Sequence, residues 1–381
     1  MADQAKTGGM TPAEQNRLMR ELLIRNSPKI LKKLPTVTGA MGGTTRVKLN
    51  NTGLITRLFA DITIPFTNSV NPTAINNKSV FAAVPKVQLV DFDGSTRINT
   101  SAFHLALLNS MRERGNYGNT ANFQSLAGFT STVTGQANDF THPQITVTAT
   151  QIRFMLEIPV ACHTDKGDLR GMLPAQFVSG DLQLAFDFAS LLNNASANDD
   201  YVFTGGTLVN GTPTVTVYQE YYLPQKIKGV TPIPQDDIST VYEIGVYSRT
   251  TDNIAAGQEK LVNFPIVREV NGVITNFNNN SRLGGAGSAN DILNHTVYAN
   301  GNNILYQTDS FTQNYLERSY LYADLPQGVN VFDFSNGPIS TAIFANVQLA
   351  LVPQGTMTTP SIETTFESFY AKGSALSGAP V

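Results

Sequence analysis

Glu363 and Glu367 are carboxylates four residues apart near the C-terminus. A carboxylate pair can cleave a glycosidic bond, one member as acid and the other as base or nucleophile, provided the fold brings the two face to face. Cys162-His163-Thr164-Asp165 sets a thiol beside an imidazole and a carboxylate, the residue types of nucleophilic catalysis, but in a strongly polar loop with nothing else to support it. The four histidines, His104, His142, His163 and His295, are scattered, and none pairs at metal-ligand spacing. His104 stands alone in a helical stretch and reads as a satisfied or surface histidine. Asp91-Phe92-Asp93-Gly94 begins like a calcium loop, yet its twelfth position is Ala102 where the loop needs Glu, so a tight turn is expected. Asp199-Asp200 and Asp236-Asp237 are adjacent carboxylates, which point apart and read as solvated charge. Gly284-Gly285-Ala286-Gly287 lacks the preceding strand and following helix of a phosphate loop and reads as a flexible tip. No His-Glu-x-x-His, Gly-x-Ser-x-Gly or Gly-Lys-Ser/Thr segment occurs. The residues therefore supply no catalytic constellation, no metal set and no cofactor motif.

The elements that would carry these residues are strands. The chain has 381 residues, more than one core usually organises, so two domains are expected. Hydrophobic residues make up 41% and charged residues only 14%, which leaves Asn, Thr, Ser, Gln and Gly to form the polar surface. That balance suits sheets and turns better than long solvent-facing helices. Tryptophan is absent, which argues against a sugar-stacking cleft, and one cysteine excludes an internal disulfide. The first residues lack the apolar core of a signal peptide, and no apolar run approaches the ~20 residues that cross a bilayer. Folding in a cytoplasm is expected, with any membrane contact peripheral.

The chain folds in half at Tyr218–Asp237. Val215, Val217, Gln219 and Tyr221 alternate with Tyr218, Glu220 and Tyr222, as in a strand with two unlike faces. Pro224, Pro232 and Pro234 then interrupt any regular element. Before this linker, strands are expected at Leu54–Ile62, Val87–Phe92, Ile152–Val160 and Leu182–Phe188, with a helix over Ser101–Arg114. After it, strands are expected at Val241–Tyr247, Leu261–Val267, Val329–Phe334, Ala342–Val352 and Ile362–Tyr370. Val297–Gln307 is a hairpin turning at Asn300-Gly301, and Phe311–Leu321 is a helix. Asn271–Asp291 and Ser190–Pro213 read as polar excursions. Each half is thus a set of short strands with one inserted helix.

The N-terminal segment is different. Residues 1–48 hold nine Lys/Arg against three acids, a net of +6, while the remainder carries −9 of the overall −3. This balance gives the whole chain no nucleic-acid footprint, but a basic arm on an acidic body points to an anionic partner. Thr11-Pro12-Ala13-Glu14 is a helix start with a capping box. Leu18, Met19, Leu22 and Leu23 follow as a stripe, with Arg17, Arg20 and Arg25 around it, and Ser27-Pro28 ends the helix. Lys29–Leu34 reads as a second short basic turn and Thr36–Thr45 as a flexible connector. The helix either docks on protein or lies at an anionic membrane surface.

The order and wording of several segments resemble the major capsid proteins of tectiviruses, icosahedral phages with an internal membrane. Ser101–Asn109, Ile158–Ala161, Asp168–Gly171, Asp181–Phe188, Val215–Tyr222, Asp324–Val329, Asn346–Pro353 and Phe366–Tyr370 carry the resemblance, while Gln225–Ser310 matches poorly. The resemblance implies an all-β fold of two eight-stranded jelly rolls side by side, each with a short inserted helix, plus an N-terminal amphipathic helix. The divisions would be residues 1–45 (helix and arm), 46–224 (first jelly roll), 225–237 (linker) and 238–381 (second jelly roll and tail). It implies no enzyme activity and no cofactor. It implies a homotrimer of pseudo-hexagonal outline that tiles an icosahedral shell over an internal lipid membrane, made in the host cytoplasm and resident in the virion. Partners would be neighbouring trimers, vertex and minor membrane-associated coat proteins, and lipid headgroups, without sequence-specific nucleic-acid binding. Arg17, Arg20, Arg25, Lys29, Lys32 and Lys33 would face the headgroups or an inner coat neighbour, and an arm of residues 1–34 would be separable from the trimer. A jelly-roll carbohydrate-binding module using Tyr218–Tyr222, or a β-sandwich glycosidase using Glu363 and Glu367, are the alternatives; neither accounts for the basic arm or the matched halves.

Overall fold

The computed structural model describes residues 11, 14–15, 18, 21–22, 26–91, 94–112, 147–161, 171–175, 180–226, 242–252, 254–266, 268–284, 292–321, 325, 328–344 and 346–371. Apart from two-residue strands and the edge strand Thr207–Asn210, the described residues of the first half hold eight strands. These are Lys29–Lys33, Thr44–Lys48, Leu54–Val70, Lys86–Val90, Thr96–Thr100, Gln151–Pro159, Gln183–Asp187 and Thr214–Tyr222. Numbered along the chain, they pair as two sheets in the orders 1-8-3-6 and 2-7-4-5. The described residues of the second half also hold eight: Tyr242–Thr251, Lys260–Asn263, Glu269–Asn279, Ile292–Ala299, Asn303–Asp309, Val329–Asp333, Val347–Pro353 and Ser361–Ala371. Their orders are again 1-8-3-6 and 2-7-4-5. A helix follows the fifth strand in each half: α1, Ala102–Arg112, and α2, Ser310–Leu321. Two antiparallel sheets wound in this order are a jelly roll, and the chain contains it twice.

Alternation sets the faces. Along Leu54–Val70, Leu58, Ala60, Ile62, Ile64 and Phe66 are buried, while Arg57, Phe59, Asp61 and Thr63 are half-buried on the other face. The Asn300-Gly301 hairpin forms where expected. Both residues take positive φ, 52° and 88°, and Ala299 pairs with Asn303. Near Asp91 the chain makes the expected turn, with Gly94 N–H donating to Asp91 O at 3.0 Å. The Asp91 carboxylate is buried against Arg97, whose Nε donates to Oδ2 at 2.5 Å.

The halves are fused. Thr96–Thr100, the fifth strand of the first half, runs parallel to Tyr242–Thr251, the first strand of the second, with Ile98 opposite Val246 and Asn99 opposite Tyr247. The first half's 2-7-4-5 sheet therefore continues into the second half's 1-8-3-6 sheet. The outer face of that second sheet is not solvated. Val246, Ile274, Val331 and Phe369 join Leu58, Phe81, Phe103 and Phe154 of the first half in one hydrophobic cluster. A separate cluster of Val273, Phe277, Leu349 and Phe366 fills the second barrel.

Several expectations change. Lys29–Lys33 is a strand rather than a basic turn, paired antiparallel with Thr214–Tyr222 from Lys29↔Tyr222 to Lys33↔Tyr218. Val37–Thr38, within the expected flexible connector, and Thr44–Lys48, which begins at its end, are also strands. The first barrel thus begins inside the segment assigned to the arm. Glu269–Asn279 is a central strand where a polar excursion was expected. It is buried on both faces between Ser361–Ala371 and Val329–Asp333, so it lacks the alternation by which an exposed strand is read. Thr96–Thr100 was not anticipated at all.

Candidate assembly surfaces

Among the described residues, those singled out for chemistry do not converge on a catalytic site. Glu363 and Glu367 share one strand. Positions four apart on a strand lie on the same face roughly 13 Å apart, too far for the ~5–10 Å of a glycosidase pair. Glu367 is also buried. Tyr221 and Tyr222 are buried and Tyr218 is half-buried, so these tyrosines do not line an open sugar groove. Cys162, His163, Asp165, Asp236, Asp237 and His142 lie outside the described residues. Among the described residues no cluster of three His, Cys, Asp or Glu could hold a metal, and no helix is long and apolar enough to cross a membrane.

What these residues build is the junction between the halves. His104, on α1, is fully buried. Asn276 Nδ2 donates to its Nε2. The neutral ring then carries its proton on Nδ1 and donates to Thr365 Oγ1 at 2.5 Å. Ser248 Oγ lies 2.6 Å from Thr365 Oγ1 and 2.5 Å from Thr100 Oγ1. Burial lowers the His104 pKa, more than the nearby Glu363 carboxylate raises it. Met111, further along α1, sits against Gly272, where an added Cβ would fall 2.4 Å from Met111 Cε. Asp199 is buried rather than solvated. It accepts from the backbone N–H of Asn77 at 2.8 Å and of Leu283 at 2.6 Å, while its own N–H donates to Ser281 O at 2.9 Å. Asp200 points away to Lys78, at 2.9 Å. Sequence reading missed both roles because each partner lies in another part of the chain.

A second surface is the outer face of the first half's 1-8-3-6 sheet. Phe59 lies opposite Tyr218 on one side and Glu157 on the other, and Asp61 lies opposite Met155. Charges frame this aromatic row. Arg57 stacks 4.8 Å from the Phe59 centroid and donates through Nε to Glu220 at 2.8 Å. Lys29 Nζ reaches the same Glu220 oxygen at 3.0 Å. Arg153 grips Asp61 with two bonds, of 3.0 and 2.8 Å. Burial alone would raise the Glu220 pKa, but bonds from Arg57, Lys29 and Thr56 outweigh it and hold the group below the usual carboxylate range. Lys29 is therefore committed to the barrel, while Lys32 and Lys33 are exposed and form no ion pair among the described residues. Arg17, Arg20 and Arg25 lie outside the described residues. Upstream, Thr11 and Glu14 make the expected capping box, Thr11 N–H to Glu14 Oε2 at 2.7 Å and Glu14 N–H to Thr11 Oγ1 at 3.3 Å. Leu18 of the apolar stripe is exposed.

A third surface lies at the far edge of the second half. Ile304 and Leu305 on the edge strand are exposed, and on α2 Phe311 and Tyr315, one helical turn apart, are 84% and 68% exposed. Aromatic residues this open are uncommon on an isolated soluble surface and mark contact sites.

Three comparisons bear on these surfaces. The major capsid protein of Sulfolobus Turreted Icosahedral Virus superposes with a TM-score of 0.63 at 11% identity, over 92% of this chain and all of that one. The PBCV-1 virus capsid structure matches with a TM-score of 0.61 at 13% identity, covering 93% and 98% of the two chains. The major capsid protein P2 of bacteriophage PM2 matches at 0.50 with 9% identity, covering 91% and 99%. At such identities the superpositions establish the double jelly-roll fold. No curated protein sequence matches. Family models describing the N-terminal and C-terminal parts of the P3 major capsid protein match residues 19–225 and 239–381. Duplicated barrels and these two matches place the protein among structural coat proteins: the chain belongs to the P3 major capsid protein family.

Proposed function

We propose that three copies of this capsid protein form a homotrimeric capsomer of pseudo-hexagonal outline, and that these trimers tile an icosahedral shell over an internal lipid membrane. The observation that carries this reading is the repeated strand order. Two barrels of one topology, fused edge to edge, let three chains supply six equivalent building blocks. Neighbouring trimers would meet through smaller and more polar contacts than those within a trimer. The basic arm, with Arg17, Arg20, Arg25, Lys32 and Lys33, would lie on the inner side against anionic headgroups or a minor coat protein. The exposed Leu18 suits such a contact. Vertex proteins would complete the shell, and assembly would take place in the host cytoplasm. The test is the solution mass by light scattering, followed by negative-stain class averages of the same peak. A trimer with six-lobed averages is expected; a monomer at high concentration overturns the reading.

A further inference from the structure

We propose that Asn300-Gly301 is a site of self-modification, at which Asn300 loses its side-chain amide to water and becomes aspartate or isoaspartate. The inference does not rest on the trimer reading.

The reaction needs an asparagine followed by a residue whose backbone nitrogen is free to attack. Glycine suits best, because it has no Cβ to crowd that nitrogen. The nitrogen attacks the side-chain carbonyl carbon, Cγ. A C–N bond forms, the Cγ–Nδ2 bond breaks, and Nδ2 leaves as ammonia with the proton shed by the attacking nitrogen. The product is a five-membered imide, which water opens at either carbonyl. Opening at Cγ gives aspartate. Opening at the main-chain carbon gives isoaspartate, whose backbone runs through the side chain. No electrons are exchanged: one water enters and one ammonia departs.

The chain holds four such pairs: Asn210-Gly211, Asn271-Gly272, Asn300-Gly301 and Asn336-Gly337. The fold withdraws three of them. Gly211 N–H donates to Pro65 O at 2.8 Å, and Gly337 N–H to Phe334 O at 2.9 Å. Asn271 is buried, and Gly272 lies in a central strand between Glu367 and Asp333. At each of these, a hydrogen bond or a sheet must open before the nitrogen can attack.

Asn300-Gly301 is under no such restraint. Both residues are exposed at the tip of their hairpin. Gly301 N–H has no hydrogen-bond partner among the described residues. A Cβ built on Gly301 would meet nothing within 4 Å, so no neighbour shields the nitrogen. Ring closure takes a rotation about the Asn300 Cα–C bond. That motion is confined to the tip, since the strands pair up to Ala299 and Asn303. Either product places a carboxylate on a tip, Asn300-Gly301-Asn302, that carries no charge. Isoaspartate also lengthens the main chain beside the bond from Asn300 N–H to Asn346 O. Protein of increasing age therefore becomes more acidic at this tip.

Peptide mapping of the folded full chain, held in warm, mildly alkaline buffer made with heavy-oxygen water, tests the proposal. Trypsin places the four pairs in four separate peptides. Uptake of heavy oxygen marks only conversions that occur during the incubation. The peptide holding Asn300 is expected to convert first, roughly tenfold or more ahead of the other three. The same incubation in urea is expected to bring the four rates together, because the fold no longer protects three of the pairs. Equal rates in the folded chain, or a lead by any other pair, overturn the proposal. So does a folded chain in which Asn300 stays intact while the urea-unfolded chain converts. The variant Asn300→Gly tolerates the positive φ and is expected to keep the circular dichroism spectrum of the parent. On isoelectric focusing it is expected to lack the acidic form that accumulates in aged parent protein. A variant that acidifies as fast as the parent sinks the proposal.

Discussion

His104 Nδ1 donates to Thr365 Oγ1 across 2.5 Å, tying the helix of the first barrel to the last strand of the second. The ring lies in a site without solvent, so its two bonds have no substitute in water. His104→Ala leaves a cavity and strands the Asn276 amide, while Thr365 keeps its contact with Ser248. A loss of about 2–4 kcal/mol is expected in urea denaturation. Because one hydrophobic cluster spans both halves, the loss is expected in a single transition for the whole chain. Two separate transitions, with only one shifted, would show that the halves do not share a core.

Asp199 and Asp200 are neighbours with opposite expected effects. Asp199→Ala abandons two backbone donors, half-buried Asn77 and buried Leu283, and is expected to cost about 2–4 kcal/mol. Asp200→Ala removes an exposed ion pair with Lys78 and is expected to cost at most about 0.5 kcal/mol. Equal melting shifts for the two variants would contradict the structure.

Two buried groups bend the pH profile in opposite directions. His295, packed 5.4 Å from Phe332, has its pKa lowered by burial to about 4. Its folded pKa is below the unfolded value, so its contribution is present above about pH 6.5 and is lost as the pH falls towards 4, by about 3 kcal/mol in all. Glu317, on α2, accepts from Val331 N–H at 2.7 Å and Gln313 Nε2 at 2.9 Å, and burial raises its pKa to about 8. Its folded pKa is above the unfolded value, so its contribution is full below about pH 4.5 and is lost as the pH rises through 8. Glu317→Gln keeps an acceptor oxygen and removes the titration. The variant is expected to melt above the parent at pH 8 and close to it at pH 5. An equal shift at both pH values would refute the assignment.

The arm carries its own expectation. Arg17→Glu/Arg20→Glu/Arg25→Glu is expected to abolish co-flotation of the protein with vesicles containing anionic lipid, while the solution mass stays that of the parent. Binding by the parent is expected to weaken as salt rises from 0.05 to about 0.5 M, because the Debye length shrinks several-fold over that range. Salt-independent flotation would point to the apolar stripe alone.

Much of this architecture was legible in the chain. A strand with one more open face announces itself by alternation, as Leu54–Val70 does, and Asn300-Gly301 fixed its hairpin because few other pairs tolerate positive φ. The failures share a cause. Thr96–Thr100 and Glu269–Asn279 are buried by the other half of the molecule, and polar residues such as Thr100 and Asn276 meet partners, Thr365 and His104, that no local window contains. Lys29–Lys33 was misread because its lysines look like a solvated turn. As an edge strand it needs only its backbone paired, and the charges protect its open side. The separable arm accordingly ends before residue 29: removing residues 1–34 deletes a strand of the barrel, whereas removing residues 1–26 leaves it whole.

The pairing of Lys29 with Tyr222 also sets a timetable for synthesis. The first strand of the barrel leaves the ribosome long before the eighth, which completes its sheet. At roughly 5–20 residues per second the wait is on the order of ten seconds or more. During that interval the nascent first barrel has no closed core, and its shared cluster stays incomplete until Ser361–Ala371 follows. The lysines that face solvent in the finished protein would then keep an unpaired strand from aggregating while it waits, a task finished before any shell exists.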